Sequence, residues 1–219
     1  MDGHVFITGA SGRIAARLIP ALLRQGERVV GLARTDAKAD AVRALGAQCL
    51  VGPLNRPDVI DQGLEGAHTV YHLAGGMRGP GQETPDRINR LGTLDLIDRL
   101  SHHPHPRALV FTSSAAVHGD RSGLWVDEDM PPHPNTRYGQ SKLAAEQALL
   151  ASMEANGLPV RIVRLAAVYG PGFPFMLETA IRQGRAWLPG EGRNIVPTIH
   201  VDDAVEGIIR VASPDASHT

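Results

Sequence analysis

The sequence predicts a doubly wound α/β fold built on a parallel sheet, and three observations favour it. Short apolar or β-branched runs alternate with longer segments of helical periodicity along most of the chain. Runs such as Val5-Phe6-Ile7 and Ala108-Leu109-Val110-Phe111 are apolar on both faces, which is typical of strands covered by helices on both sides. The 219 residues, 42% hydrophobic and 21% charged, suffice for one large domain. Because parallel strands need crossover connections, this alternation indicates helices on both faces of one sheet.

Hydrophobic periodicity and turn residues give the order of the elements. Strands are predicted over residues 4–8, 28–33, 48–51, 68–73, 107–112 and 160–165. Helices are predicted over residues 13–25, 37–45, 57–64, 87–101, 136–156 and 202–211. Beyond residue 165 the alternation gives way to loop segments rich in Gly and Pro, at 170–174 and 188–192. We therefore expect a main domain over residues 1–165 and a small C-terminal lobe over residues 166–219. A helix at about 202–212, interleaved with that lobe, is expected to return to the main domain.

The charge and cysteine content exclude several classes of partner. The net charge is −1 and there is no long basic run, so no surface for nucleic acid or an anionic membrane is predicted. No stretch reaches the roughly 18 apolar residues of a membrane helix. Cys49 is the single cysteine, which rules out an internal disulfide and agrees with a reducing compartment. We expect a soluble, cytoplasmic protein whose partner is a small molecule.

A glycine-rich run, Thr8-Gly9-Ala10-Ser11-Gly12-Arg13-Ile14-Ala15, joins the first predicted strand to the first predicted helix. Gly9 and Gly12 permit a tight turn and a close backbone approach, and Ala15 is small enough for the helix to pack on the sheet. The N–H groups at the start of such a helix bind phosphate. A strand, this loop and a helix in that order predict a Rossmann-type, NAD(P)-binding domain over residues 1–165.

The end of the second predicted strand bears on which dinucleotide is bound. Chains that prefer NAD usually carry an acidic residue there, which holds the ribose hydroxyls. Here Ala33 stands at that place and Arg34 follows it. A guanidinium suits a 2′-phosphate, and Arg13 of the glycine loop is a second candidate for the same phosphate. These residues favour NADP, and NAD is the alternative if both arginines are ordinary solvated charges.

Three polar side chains predict a proton-transfer unit. Tyr138 and Lys142 are spaced i and i+4, on one face of a predicted helix. The Lys142 ammonium is expected to lower the pKa of the tyrosine hydroxyl, which is ordinarily about 10. Ser114 follows the strand at 107–112, at the carboxyl edge where ligands bind in such sheets, and its hydroxyl can hydrogen-bond a substrate oxygen. Tyr–Lys pairs are common on helices, so the interpretation depends on the conjunction with Ser114 and the glycine loop.

Seven motifs occur along the chain in a fixed order. They are Thr8-Gly9-x-x-Gly12, His72-Leu73-Ala74, Asn89-x-x-Gly92-Thr93, Ser113-Ser114-Ala115-Ala116-Val117-His118-Gly119, Tyr138-x-x-x-Lys142, Arg164-x-x-x-Val168-Tyr169-Gly170-Pro171-Gly172 and Ile199-His200-Val201-Asp202-Asp203. Together they resemble the extended short-chain dehydrogenases/reductases, the NAD-dependent epimerase/dehydratase group, over essentially the whole chain. The resemblance implies a catalytic triad of Ser114, Tyr138 and Lys142, and a homodimer formed through a helix bundle. The cofactor-binding candidates are Gly9, Ser11, Gly12, Arg13, Ile14, Arg34, Leu54, Leu73, Ala74, Tyr138, Lys142 and Ala167.

Several departures from the family pattern narrow the chemistry. Ala115 and Ala116 occupy the positions where dehydratases of the family carry an Asp-Glu pair, which disfavours dehydration. Ala167 replaces the Asn that contacts the substrate diphosphate in nucleotide-sugar enzymes, and His118 replaces the usual Tyr. The chain also ends soon after the helix at 202–211, so we expect the substrate lobe to be minimal or truncated.

The leading functional hypothesis is an NAD(P)-dependent oxidoreductase that interconverts a secondary alcohol and a ketone by hydride transfer. Tyr138 transfers the proton, Ser114 orients the substrate oxygen and Lys142 tunes Tyr138. An NAD-dependent (nucleotide-)sugar epimerase and a non-catalytic NADP(H)-binding protein are the alternatives. No metal site is predicted, because His102-His103-Pro104-His105 lies in a loop with no matching acid or cysteine.

Overall fold

A six-stranded parallel sheet forms the centre of the molecule. The structure is a computed structural model that describes residues 3–77, 84–121, 124–173, 182, 184 and 195–213. The strand order is β3-β2-β1-β4-β5-β6. Successive strands are added on one side of β1 up to β3 and then on its other side from β4 onward. This order confirms the predicted doubly wound α/β fold and places a ligand-binding crevice at the carboxyl ends of β1 and β4. The strands are β1 (His4–Thr8), β2 (Val29–Ala33), β3 (Gln48–Val51), β4 (Ala67–His72), β5 (Ala108–Ser114) and β6 (Val160–Leu165).

Within the part of the chain that the structure describes, six α-helices with defined bounds connect the strands and cover both faces of the sheet. They are α1 (Ala15–Arg24), α2 (Asp36–Arg43), α3 (Pro57–Leu64), α4 (Gly92–Leu100), α5 (Arg137–Asn156) and α6 (Val201–Val211). The helix predicted over 87–101 is divided, because Arg87–Leu91 forms a π-helical turn before α4. A 3₁₀ turn, Ala115–His118, follows β5 directly.

Two apolar core layers explain why the strands are apolar on both faces. In β1, Ile7 belongs to the layer under α1, α2 and α6, whereas its neighbour Phe6 belongs to the layer under α3, α4 and α5. Both side chains are fully buried. Helix α3 approaches this strand closely, since a Cβ added at Gly63 would lie 2.3 Å from the Phe6 ring. The continuous apolar character of β1 therefore follows from burial on two sides.

A second, two-stranded parallel sheet lies beyond the main sheet. It pairs β7 (Ala167–Tyr169) with β8 (Thr198–His200), and neither strand was predicted. Each has three residues, which is too short to show a period of two. Helix α6 follows β8 immediately and packs on α1.

Part of the predicted C-terminal lobe lies outside the described residues. Residues 174–181, 183, 185–194 and 214–219 are among these, and they include the loop segment predicted at 188–192. The division into two domains at residue 165 therefore stays a prediction, as does the cytoplasmic location. Within the described part of the chain, no helix is both long enough and apolar enough to span a membrane.

Candidate active site

The glycine loop after β1 has a backbone that only glycine accommodates. Gly9 adopts a φ of +70°, and a Cβ added there would lie 2.6 Å from the backbone nitrogen of Ala74. The amide of Gly12 donates a 2.9 Å hydrogen bond to the Gly9 carbonyl and closes the turn. Gly9 therefore lets the loop lie directly against the end of β4, at the crevice between β1 and β4.

The start of α1 fits a pyrophosphate. Its cap residue, Ile14, provides no side-chain hydrogen bond, and its first turn carries no acidic residue. Among the described residues, no acceptor is recorded for the amides of Arg13, Ile14 and Ala15. Ser11 and Gly12 are exposed beside them. Open N–H groups at a helix N-terminus suit an anion, so these residues fit the group that the glycine loop predicts.

Two further cofactor candidates line the adjoining edge of the sheet. Ala33 is buried at the end of β2, and Arg34 follows it at the surface. Leu54, half-buried after β3, reaches the first residue of α4, because a Cβ added at Gly92 would lie 3.1 Å from its side chain. Arg13 takes a different direction, with its guanidinium carbon 5.9 Å from the ring centroid of Phe173. The proposal that Arg13 and Arg34 bind one phosphate thus stays a prediction.

A buried histidine fixes the end of β4. The fully buried His72 places Nδ1 2.6 Å from the Thr8 hydroxyl and Nε2 2.9 Å from the Thr93 hydroxyl. Thr93 already donates to the Asn89 carbonyl at 2.6 Å, so Nε2 of His72 must be the protonated nitrogen, and Nδ1 accepts from Thr8. Burial lowers the pKa of His72 to about 3, and the charge of Lys142 acts in the same direction. His72 is therefore neutral, and it joins β1, β4 and α4.

Asn89 connects the segment after β4 to the helix that carries the predicted catalytic pair. Its Oδ1 accepts from the Gly76 amide at 2.9 Å, and its Nδ2 donates to the Gly76 carbonyl at 3.1 Å and to the Ser141 hydroxyl at 2.8 Å. The residue is buried and belongs to the π-helical turn before α4. π-turns of this kind are frequent at functional sites. Asn89 thereby sets the position of residues 75–76 against α5.

The structure brings Ser114 and Tyr138 together. Ser114 ends β5 and Tyr138 lies in the first turn of α5, and the Ser114 hydroxyl lies near enough to the phenol to act on its pKa. This approach depends on Gly139, where an added Cβ would lie only 2.4 Å from the Ala116 carbonyl oxygen. Thr136 caps α5 by accepting a 3.0 Å hydrogen bond from the Gly139 amide. The predicted proximity of a serine hydroxyl and a phenol is thus produced by a close packing of α5 on the 3₁₀ turn.

Lys142 lies one turn along α5 and is buried. Its Nζ donates to the Thr112 carbonyl at 2.8 Å and lies 4.6 Å from the centroid of the Phe111 ring. A Cβ added at Gly75 would lie 2.8 Å from the same Nζ, so the glycine leaves room for the ammonium. Burial lowers the pKa of Lys142 to about 8, and Glu146 acts in the opposite direction.

The predicted effect of Lys142 on Tyr138 is wrong for this structure. Burial raises the pKa of Tyr138 above its ordinary value, and the hydrogen bond with Ser114 offsets only part of that increase. The Lys142 ammonium is directed to the Thr112 carbonyl, so desolvation of the phenol dominates. A phenol with a raised pKa holds its proton at neutral pH.

A buried ion pair beside the site was not predicted. Glu146, whose side chain is 1% exposed, pairs with Arg164 of β6 at 2.9 Å. The Arg164 Nη1 also lies 3.3 Å from Nε2 of His118 and 3.3 Å from the Glu128 carbonyl oxygen. The spacing of Tyr138, Lys142 and Glu146 at i, i+4 and i+8 is a sequence signal that places all three on one face of α5. The ion pair attaches that face to β6 and to the loop after the 3₁₀ turn.

The sheet order and the glycine loop define a Rossmann-type dinucleotide-binding protein. The model of the NAD dependent epimerase/dehydratase family matches residues 5–218. The chain therefore belongs to this family, as its motifs suggest.

Comparisons with individual proteins agree with this assignment. The chain is 32% identical over 217 residues to a 4-hydroxy-2-methyl-3-oxo-4-farnesyl-3,4-dihydroquinoline-1-oxide ketoreductase of Stigmatella aurantiaca, covering 95% of the chain and 64% of that protein. It is 31% identical to a dTDP-glucose 4,6-dehydratase of Streptomyces griseus, covering 95% of the chain and 69% of the relative. The crystal structure of a UDP-glucuronic acid 4-epimerase from Bacillus cereus, in complex with UDP-glucuronic acid and NAD, superposes with a TM-score of 0.83 at 26% identity, covering 97% of the chain and 74% of that structure.

Proposed function

We propose that the protein is an NADP(H)-preferring oxidoreductase that reduces a ketone to a secondary alcohol. The observation that carries the proposal is the placement of Ser114 beside Tyr138, at the carboxyl edge of a sheet whose glycine loop fits a dinucleotide. When bound, the reduced nicotinamide supplies a hydride. Carbonyl reduction requires a hydride donor at the ketone carbon and a proton donor at the ketone oxygen.

Each residue of the triad has a distinct task in this reaction. The Ser114 hydroxyl donates a hydrogen bond to the ketone oxygen and orients it toward Tyr138. The Tyr138 hydroxyl transfers its proton to that oxygen as negative charge develops there. Lys142, held by the Thr112 carbonyl, would bind the nicotinamide ribose. Asn89 keeps the segment at 75–76 in place against α5.

The preference for NADP follows from the end of β2. The buried Ala33 offers no carboxylate to ribose hydroxyls, and Arg34 is exposed where a 2′-phosphate is expected. The amides at the start of α1 hold the pyrophosphate, and Leu54, Leu73, Ala74 and Ala167 line the remainder of the cofactor site.

Reduction is favoured over dehydration and nucleotide-sugar epimerisation by three alanines. Ala115 and Ala116 lie in the 3₁₀ turn beside Ser114 and provide no acid or base for dehydration. Ala167, exposed in β7, offers no amide to a diphosphate. One relative at 32% identity is named as a ketoreductase, which supports the same reaction class.

Titration with NADPH and NADH, followed by protein fluorescence, tests the cofactor assignment. We expect tighter binding of NADPH, and equal or tighter binding of NADH would contradict it. A panel of ketones is then incubated with the preferred reduced cofactor, and its absorbance is followed. Loss of reduced cofactor supports the reductase. Turnover of a UDP-sugar without net loss identifies an epimerase, and tight cofactor binding with no turnover identifies a non-catalytic protein.

The homodimer has support from the outer faces of α4 and α5. Leu94 of α4, Leu150 and Met153 of α5, and Leu91 of the π-helical turn before α4 are exposed large apolar side chains. Such a pair of apolar helix faces, repeated about a two-fold axis, forms a four-helix interface. Sedimentation equilibrium tests it: we expect a dimer for the wild type, a monomer for Leu150→Asp, and a dimer for Gln62→Glu on α3. A monomeric wild type would contradict the dimer.

A further inference from the structure

Three segments around the predicted catalytic residues expose large apolar side chains to solvent. We call these side chains the apolar rim. Trp125 is 98% exposed, Ile195 90% and Met77 69%. Large apolar side chains exposed beside a site are a common feature of ligand or partner surfaces. The apolar rim consists of Met77, Leu124, Trp125, Val126, Ile195 and Val196.

The segment that holds Leu124, Trp125 and Val126 lies between Ser114 and Tyr138 in the chain. It belongs to the loop at 119–136, which joins the 3₁₀ turn after Ser114 to the helix that carries Tyr138. The Arg121 side chain ties this loop to the His118 carbonyl at 3.0 Å and to the Pro131 carbonyl at 2.8 Å. Arg164 of β6 binds the Glu128 carbonyl from the opposite side.

The two other segments are also attached to the site. Met77 directly follows Gly76, which is bound through both its backbone groups to Asn89. Ile195 and Val196 precede Pro197, whose carbonyl accepts a 3.1 Å hydrogen bond from the amide of Ala167. All three segments therefore lie at the carboxyl edge of the sheet, where the substrate reaches Tyr138.

Three loop segments on this edge, at 119–136, 166–173 and 195–199, carry more carboxylates than basic groups. The loop at 119–136 carries four carboxylates and one guanidinium, and that guanidinium, of Arg121, is engaged by backbone carbonyls. The segments at 166–173 and 195–199 carry no charged residue. In the loop at 119–136 a nucleotide diphosphate would meet these carboxylates and a guanidinium that backbone carbonyls already engage. The carboxylates are Asp120, Asp127, Glu128 and Asp129.

We infer that the substrate is a neutral ketone bearing an extended apolar chain, which the apolar rim covers while the carbonyl reaches Ser114 and Tyr138. The inference rests on the proposed function, since it names the substrate class of the same site. Burial of the chain against the rim contributes to binding in proportion to the apolar area removed from water.

A homologous series of methyl ketones, from butanone to 2-decanone, measures this contribution. We expect kcat/KM to rise by up to about fourfold for each CH₂ group that the rim covers. Trp125→Ser lowers kcat/KM for 2-decanone by about tenfold and leaves the value for butanone nearly unchanged. The matched variant Trp125→Phe keeps an apolar ring and retains most of the activity toward 2-decanone. Independence of chain length, or equal losses for both ketones in Trp125→Ser, would overturn the inference.

A binding measurement separates this inference from the proposed reaction. In a Trp187→Phe background, Trp125 is the only tryptophan, and its emission is expected to shift to shorter wavelength with 2-decanone but not with UDP-glucose. A shift with 2-decanone and no reduction of any ketone would leave the apolar site intact and contradict the reductase. Reduction of ketones regardless of chain length, with constant emission, would leave the reductase intact and contradict the apolar site.

Discussion

The cofactor side and the substrate side of the sheet edge are constructed differently. On the cofactor side, Gly9 and the buried His72 and Asn89 fix the backbone through close contacts and hydrogen bonds. On the substrate side, β7 and β8 have three residues each, and the apolar rim lies in solvent. A rigid scaffold thus holds the reacting groups, while loops and exposed side chains select what reaches them. Substitutions on the first side should remove activity or stability, and those on the second should change substrate choice.

The largest expected effect comes from the proton donor itself. Tyr138→Phe removes the hydroxyl and keeps the ring, so kcat for ketone reduction should fall by about 10³-fold. The affinity for NADPH, measured by fluorescence titration, should stay within twofold of the wild type. Retained turnover would show that another group donates the proton.

Because His72 is buried and neutral, the free energy of unfolding should decrease at acidic pH. Its pKa in the folded protein is about 3, against an ordinary value of 6.5. Between these values the unfolded chain binds more protons, so the free energy of unfolding decreases as the pH falls from 6.5 toward 3. The total loss is on the order of several kcal/mol, because one pKa unit corresponds to about 1.4 kcal/mol.

Urea unfolding at several pH values measures this decrease. We expect the His72→Asn variant to be less stable than the wild type at pH 7 and to lose less stability over the acidic range. Val70→Ala, at a buried position in the same strand, removes no titratable group, so it serves as the control and should keep the wild-type slope. Identical slopes in His72→Asn and the wild type would mean that His72 is not the titrating group.

The same Gly→Ala substitution in two different helices should have opposite effects on stability. Gly139→Ala places a Cβ 2.4 Å from the Ala116 carbonyl oxygen, so it should lower the free energy of unfolding by about 1–3 kcal/mol and separate Tyr138 from Ser114. Gly207→Ala, on α6, meets nothing within 4 Å and should raise the free energy of unfolding by about 0.5–1 kcal/mol. Thermal unfolding and ketone reduction distinguish them. Equal effects from the two substitutions would refute the close packing of α5 on the 3₁₀ turn.

The last expected effect is on the relative affinity for NADPH and NADH. Arg34→Ser should weaken NADPH binding by about tenfold and leave NADH binding nearly unchanged, because only NADPH carries the 2′-phosphate. Arg28→Ser, at the opposite end of the same strand, should change neither. Parallel losses for both cofactors would indicate a general structural effect of Arg34.

Local features of the site could be predicted from the sequence, and long-range ones could not. The turn at Gly9 and the spacing of Tyr138 and Lys142 depend on neighbouring residues, so their patterns indicate them directly. The contact of Asn89 with Ser141 and the pairing of Glu146 with Arg164 join segments far apart in the chain, and no local pattern specifies their partners.

The direction of the Tyr138 pKa shift also could not be predicted from the sequence. Its helical spacing from Lys142 indicates a nearby positive charge, which lowers the pKa of a phenol. Burial by the surrounding elements, which the sequence does not show, reverses the direction. The pairing of β7 with β8 likewise could not be predicted from the sequence, because it depends on two short segments meeting in space.

The transfer of hydrogen from cofactor to substrate tests the central claim most directly. NADPH deuterated at the transferring position of nicotinamide C4 is incubated with the enzyme and 2-decanone, and the product is analysed by mass spectrometry. We expect one deuterium on the carbinol carbon and one equivalent of NADP⁺ per alcohol with the wild type, and neither with Tyr138→Phe. Absence of label in the product, or label in the Tyr138→Phe reaction at the wild-type rate, would contradict reduction through Ser114, Tyr138 and Lys142.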